Sequence, residues 1–175
     1  ILADGFTYCA AISACERSED WEQAFAFLLA MQRQVLSPSA YEYSPAISTC
    51  ASCAQWEQAL RLLGEMRAEH AEMNVVTCNA TITACEKAQH WDSALSLLRG
   101  MLPWHFTPNV ITYNAAISAC GKGLQYNRAV ALLREMCSSQ LTPSTASFNA
   151  MISACDEWTS SLELLREMRH ERITP

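Results

Sequence analysis

The tetrapeptides ISAC, ISTC, ITAC, ISAC and ISAC end at Cys15, Cys50, Cys85, Cys120 and Cys155, so one motif returns every 35 residues along this 175-residue chain. A fixed period of roughly 20 to 50 residues marks a solenoid or propeller, in which each unit is one supersecondary element stacked on its neighbours. Residues 75–109 lie over 110–144 without a gap, and the same frame covers 5–39 and 40–74. The last unit, 145–175, is about three residues shorter between Cys155 and Trp158, and residues 1–4 read as the tail of a preceding unit.

Counting each unit from its first residue, positions 4, 8 and 11 carry Tyr8, Ile12 and Cys15, then Tyr43, Ile47 and Cys50, and so on to Phe148, Ile152 and Cys155. That spacing is one face of a helix. Positions 17, 20, 24 and 27 carry Trp21, Ala24, Leu28 and Met31, with Trp56, Ala59, Leu63, Met66 and Trp91, Ala94, Leu98, Met101 in the same phase. They predict a second amphipathic helix, so each unit is a helical hairpin. Thr7, Thr77, Thr112 and Ser147 stand where a hydroxyl can cap the first helix, and Pro38, Pro108, Pro143 and Pro175 fall in the connections between units. The Trp and Met columns lie on the packing face of the second helix and are expected to be core.

A lone hairpin cannot bury both apolar stripes, so the units must stack. The expected fold is all-α, an α-solenoid superhelix of two-helix repeats forming a single domain. Neither end offers a polar capping helix, which suggests a piece of a longer solenoid or ends that pack on partners, with Ile1 not a true N-terminus.

The cysteine column belongs to this architecture. Nine cysteines in a secreted chain would suggest disulfides, but five of them sit in the repeated motif, which favours a reducing compartment. Cys50 and Cys53 form a C-x-x-C without a second pair or a histidine cluster, and His70, His90, His105 and His170 are scattered. No enzyme, metal or cofactor is expected. No apolar run approaches the roughly 18 residues of a membrane span, and no targeting peptide opens the chain. The net charge of −6 opposes generic polyanion binding, which depends on Lys and Arg neutralising phosphates.

With Thr-Tyr-Asn near its start (Thr112, Tyr113, Asn114), Ala in mid second helix and Thr-Pro near its end, the 35-residue unit resembles the pentatricopeptide-repeat family, in its plain 35-residue class. The tetratricopeptide signature W-x-x-L-G-x-x-Y is absent. The resemblance implies single-stranded RNA binding in an organelle, mitochondrion or chloroplast, with each repeat addressing one base through its fifth and last residues. The implied base-reading residues are Ser44 with Asn74, Asn79 with Asn109, Asn114 with Ser144, and Asn149, whose partner is lost to the chain end. Cys9 with Ser39 fits no strong rule. Repeats 75–109 and 110–144 would favour pyrimidines, cytosine first, and Ser44 with Asn74 adenine.

The family's second residue sandwiches the base, which assigns Val76 and Ile111 to that role, and a basic residue near the end of the first helix touches phosphate, which assigns Lys87 and Lys122. Arg17 shares that position, while repeat 40–74 has Ser52 there. Independently, at about 100° per residue positions 2, 5, 9, 12 and 13 share a helix face away from the apolar one. A side-chain amide on that face offers a base edge both a donor and an acceptor.

Charge follows the same division. Residues 75–144 hold five basic side chains (Lys87, Arg99, Lys122, Arg128, Arg134) against Glu86, Asp92 and Glu135, net +2, while the rest of the chain carries −8. Repeat 40–74 looks degenerate, with Pro45 early in its first helix and a net charge of −3. The rival reading is a protein-protein scaffold, a subunit of a large organellar assembly that uses its acidic surface and open ends. For the asparagines a local hydrogen bond near a helix start is the plain alternative, and for the lysines a solvated surface.

Overall fold

The computed structural model describes residues 4–153, which form nine α-helices and no strand among the described residues. They are α1 (Gly5–Ser18), α2 (Trp21–Arg33), α3 (Ala40–Ser52), α4 (Trp56–Ala68), α5 (Val75–Lys87), α6 (Trp91–Met101), α7 (Val110–Lys122), α8 (Tyr126–Ser138) and α9 (Thr145–Ser153). Two compact units divide at α5: Ile1–Ala84 and Cys85–Pro175. In the first, α1 packs on α2 and α3, and α3 on α4; in the second, α7 packs on α6, α8 and α9. The second half of the fifth repeat, including Cys155 and Trp158, lies outside the described residues.

Both helical stripes are buried as the periodicity requires. Tyr8, Ile12 and Cys15 on α1, Tyr43, Ile47 and Cys50 on α3, and Tyr113, Ile117 and Cys120 on α7 are all in the core, as are Ala24, Leu28 and Met31 on α2 and their counterparts on α4, α6 and α8. The tyrosines also tie the two helices of a hairpin together. Tyr43 Oη donates to Glu69 at 2.9 Å, Tyr113 Oη donates to Glu135 at 3.0 Å, and Tyr8 Oη accepts from Gln34 at 2.9 Å. Each hydroxyl therefore reaches a polar partner at the hairpin's edge while its ring stays in the core.

The helices end by a device with no signature in the sequence. Glu19, Ala54, Gln89 and Leu124, at position 15 of their repeats, and Val35, His70, His105 and Gln140, at position 31, all take left-handed φ values between 54° and 64°. None is glycine. Behind each, the next N–H bonds back to the cysteine or methionine carbonyl of the repeated columns: Gln55, His90 and Gln125 to Cys50, Cys85 and Cys120 at 2.8 Å, and Phe106 to Met101 at 2.9 Å. This six-to-one closure satisfies carbonyls that the helix end leaves open.

Two expectations about helix ends and core are corrected. The hydroxyls of Thr7, Thr77 and Thr112 do not sit at N-caps: they lie three residues further in, because Asp4, Asn74 and Asn109 place the capping oxygen on the backbone N–H of those residues at 2.9, 2.9 and 3.0 Å. Thr77 and Thr112 answer by accepting from the N–H of Asn74 and Asn109. Trp21, Trp56 and Trp91 are half-buried rather than core, since each occupies the first residue of its helix. Trp91 lies against Gly123, where a Cβ would meet its Cδ1 at 2.2 Å, and the Arg128 guanidinium covers its ring at 4.2 Å.

Pro45 sits inside α3 without ending it. Its missing N–H leaves the Tyr41 carbonyl without the usual helical donor, and the Cys9 thiol approaches that oxygen at 3.7 Å.

Candidate nucleic-acid interface

The second residue of each repeat is held on the first turn of a first helix, away from the buried face. Phe6, Tyr41, Val76 and Ile111 are accordingly 84%, 78%, 69% and 62% exposed. Large apolar side chains left in water at one recurring position are an unusual expense for a fold, and recurrence in both units separates them from scattered surface residues. Val76 and Ile111 were expected here; Phe6 and Tyr41 were not, although the same column counted from Gly5 and Ala40 identifies them. Their rings offer the larger faces.

The last residue of each repeat precedes the first helix of the next hairpin and doubles as its cap. Ser39 forms a capping box with Glu42, donating its N–H and its hydroxyl to Glu42 Oε2 at 2.8 and 2.7 Å. Asn74 Oδ1 accepts the Thr77 N–H at 2.9 Å, so its cap occupies the oxygen of the side-chain amide. Asn109 Oδ1 accepts both the N–H and the hydroxyl of Thr112, each at 3.0 Å.

In the first unit the groove beside these positions has a volume of about 620 Å³ and brings Ser44 and Asn74 together with Cys9, Tyr41 and Val76. Glu16 and Glu72 line it as well. In the second unit Asn114 Nδ2 donates to Ser144 Oγ at 3.2 Å, so the fifth and last side chains of that repeat touch. Asn79 is buried on α5, and Asn149 is exposed on α9. Asn79 and Asn109 fall in different units.

Lys87 and Lys122 occupy the last turns of α5 and α7, both exposed. Lys122 Nζ pairs with Glu86 Oε1 at 3.1 Å, and the same oxygen accepts the Ser118 hydroxyl at 2.7 Å. Any anion approaching this ammonium would compete with the half-buried Glu86 carboxylate.

Four buried cysteines are poorly suited to chemistry of their own. Burial pushes the thiols of Cys50, Cys78, Cys85 and Cys120 up to about 11, with Cys53 adding to the effect at Cys50. A thiol so hard to ionise is a poor nucleophile and a poor metal ligand. Cys53 lies 3.0 Å from the Glu19 carbonyl. Among the described residues no three His, Cys, Asp or Glu side chains converge on a possible metal site, and no helix is long and apolar enough to cross a membrane.

Stacked helical hairpins with a recurring exposed column define the class, a helical-repeat protein of the α-solenoid type. The chain belongs to the PPR repeat family: the PPR repeat family model matches residues 73–122 and 108–157, and the PPR repeat model matches 6–34. Among solved structures it is similar to the PPR domain of Arabidopsis thaliana protein-only RNase P 1 (PRORP1) in complex with tRNA, at 14% identity and TM-score 0.78, over 94% of this chain and 88% of that one. It is also similar to the maize pentatricopeptide repeat protein PPR10 in complex with an 18-nt psaJ RNA element, at 21% identity and TM-score 0.78, over 99% of this chain and 29% of that one. A third likeness is to nuclear proteinaceous RNase P 2 (PRORP2) from A. thaliana, at 12% identity and TM-score 0.81, over 96% of this chain and 39% of that one. The chain thus spans less than two thirds of the PPR10 and PRORP2 chains. No curated protein matches it.

Proposed function

We propose that this chain binds single-stranded RNA with sequence selectivity, in the RNA metabolism of a mitochondrion or chloroplast, and acts by binding rather than catalysis. The observation that carries the reading is the exposed apolar column of Phe6, Tyr41, Val76 and Ile111, set beside amides and hydroxyls at the fifth and last positions. A base needs an apolar face to stack on and a donor-acceptor pair at its edge, and these positions supply both. The RNA in the PRORP1 and PPR10 structures supports the same reading.

The repeats at 5–39, 40–74, 75–109, 110–144 and 145–175 make one solenoid domain in this proposal. Affinity centres on 75–109 and 110–144, where the net charge is +2. There Asn79 with Asn109 and Asn114 with Ser144 take pyrimidines, Val76 and Ile111 hold the base planes, and Lys87 and Lys122 face phosphate. Ser44 with Asn74 takes adenine, and Asn149 reads with a partner beyond this chain.

A second reading has its own observation, the placement of Glu16 and Glu72 in the groove of the first unit. Carboxylates there repel phosphate and favour a protein partner, as in a scaffold subunit of an organellar complex. Titrating the chain with short single strands carrying A-C-C or A-Y-C, or a scrambled order, at two salt concentrations separates the readings. Selective binding is expected. Absence of binding at moderate salt, with tight co-purification of other proteins, sinks the RNA reading.

A further inference from the structure

The geometry points to Ser147 as a specificity-determining residue: its hydroxyl latches the Asn114 amide in one orientation and so decides which pyrimidine the Asn114–Ser144 pair accepts. This rests on the RNA-binding reading above. Ser147 is the third residue of the following repeat, a position whose hydroxyl at Thr7, Thr77 and Thr112 bonds back to its own helix start. Thr7 Oγ1 donates to Asp4 Oδ1 at 2.6 Å, Thr77 Oγ1 to the Asn74 carbonyl at 2.8 Å, and Thr112 Oγ1 to Asn109 Oδ1 at 3.0 Å.

At Ser147 the hydroxyl also reaches the preceding repeat. Asp4, Asn74 and Asn109 each bring a side-chain oxygen back over the helix start onto the N–H of the third residue. Ser147 Oγ accepts the Ser144 N–H at 3.0 Å, and its proton goes to Asn114 Oδ1 on the preceding repeat. Ser144 Oγ, 3.3 Å from Ser147 Oγ, takes the Asn114 Nδ2 proton at 3.2 Å.

Held at both ends, the amide keeps one N–H and one lone pair for a base, in a fixed order. Cytosine presents an amino donor beside a ring-nitrogen acceptor, and uracil presents a carbonyl acceptor beside an N–H donor. A loose amide satisfies either by turning over, since its oxygen and nitrogen are nearly the same size and carry opposite hydrogen-bonding character. A latched one turns only if both serine hydroxyls reverse their roles with it, Ser147 Oγ accepting from Nδ2 and Ser144 Oγ donating to Oδ1. Ser147 is a positioning residue that need not touch the RNA.

The test measures affinities of the full chain for oligonucleotides identical except for cytosine or uracil opposite repeat 110–144. Wild type is expected to prefer cytosine, and Ser147→Ala to shrink the cytosine-to-uracil ratio by about three- to tenfold, the worth of one hydrogen bond. Binding of the poorer base should hold or improve. Ser147→Thr, which restores the hydroxyl, should restore the ratio, an outcome that a packing role does not produce. Ser147→Cys keeps the volume with only a weak donor and serves if the alanine variant melts too low to assay. An unchanged ratio in Ser147→Ala or Ser147→Cys, with wild type selective, overturns the latch and leaves RNA binding standing. Failure of wild type to bind any of the strands overturns both.

Discussion

Asn114 Nδ2 donates to Ser144 Oγ at 3.2 Å, joining the fifth residue of a repeat to its last across a separation of 30 residues. The contact makes one composite surface of two side chains that neither helix could present alone. If that surface reads a base, Asn114→Ala removes the amide that faces the edge. RNA affinity should then fall about tenfold, within the roughly 1 to 3 kcal/mol that a paired base contact provides. Fluorescence polarisation checks this, with the thermal midpoint as control. An unchanged affinity and base preference in Asn114→Ala combined with Asn79→Ala ends the assignment of these asparagines.

The exposed column gives a prediction that separates binding from folding. Tyr41 and Ile111 are 78% and 62% exposed, so Tyr41→Ala and Ile111→Ala give up little packing. Each should leave the thermal midpoint within a degree or two while weakening RNA, because stacking is worth about 1 to 3 kcal/mol per base. Equal losses of stability and binding would return these residues to the core account.

Leu124 has φ 54° and is 65% exposed, so its backbone is strained and its side chain contributes little. Leu124→Gly removes the Cβ clash of the left-handed conformation and should raise stability by about 1 kcal/mol, read by chemical denaturation. Leu124→Val, β-branched at the same φ, should lower it.

At Gly123 the requirement is space, since its φ of −86° suits any residue. A Cβ 2.2 Å from Trp91 Cδ1 forces the indole away from its seat under Arg128. Gly123→Ala should be destabilising by about 1 to 3 kcal/mol, as overpacking usually is. Trp91→Leu in the same chain should recover part of the loss.

The buried thiols set an alkaline limit. Cys50, Cys78, Cys85 and Cys120 are raised from 9.0 to about 11 by burial, so the folded chain holds their protons longer than the unfolded chain does. Their contribution to stability is fully present below about pH 9 and declines as pH rises toward 11. Melting temperatures across that window should fall, while the exposed Cys137 alkylates at neutral pH well before the buried four.

What the sequence made legible was whatever repeats in an apolar column. Tyr8, Ile12 and Cys15, and Ala24, Leu28 and Met31, place both stripes of the first hairpin, because burial constrains side-chain identity directly. Helix ends were less readable. The left-handed residues are Glu, Ala, Gln, Leu, Val and His, none of which announces that conformation, because the closure is made by backbone groups. The threonine positions were three residues off for a related reason: in a capping box two side chains exchange roles, and Thr77 and Asn74 are equally plausible caps on paper. At the candidate site, sequence placed Ser44 and Asn74 on one groove but did not reveal that Glu86 had already engaged Lys122. Nor did an uninterrupted 35-residue period hint that the compact units divide between Ala84 and Cys85.

The six-to-one closures behind the Cys and Met columns have one more consequence. Because N–H and carbonyl groups make them, the closures need no particular side chain at the hairpin corners, which add only the modest strain of a Cβ at left-handed φ. Loop residues such as Gln89, His105 and Gln140 can therefore drift in identity, or be rewritten to carry a tag or a new contact, while the hairpins keep their geometry. The positions free to diversify are the corners, and the demand for particular side chains falls on the columns beneath them.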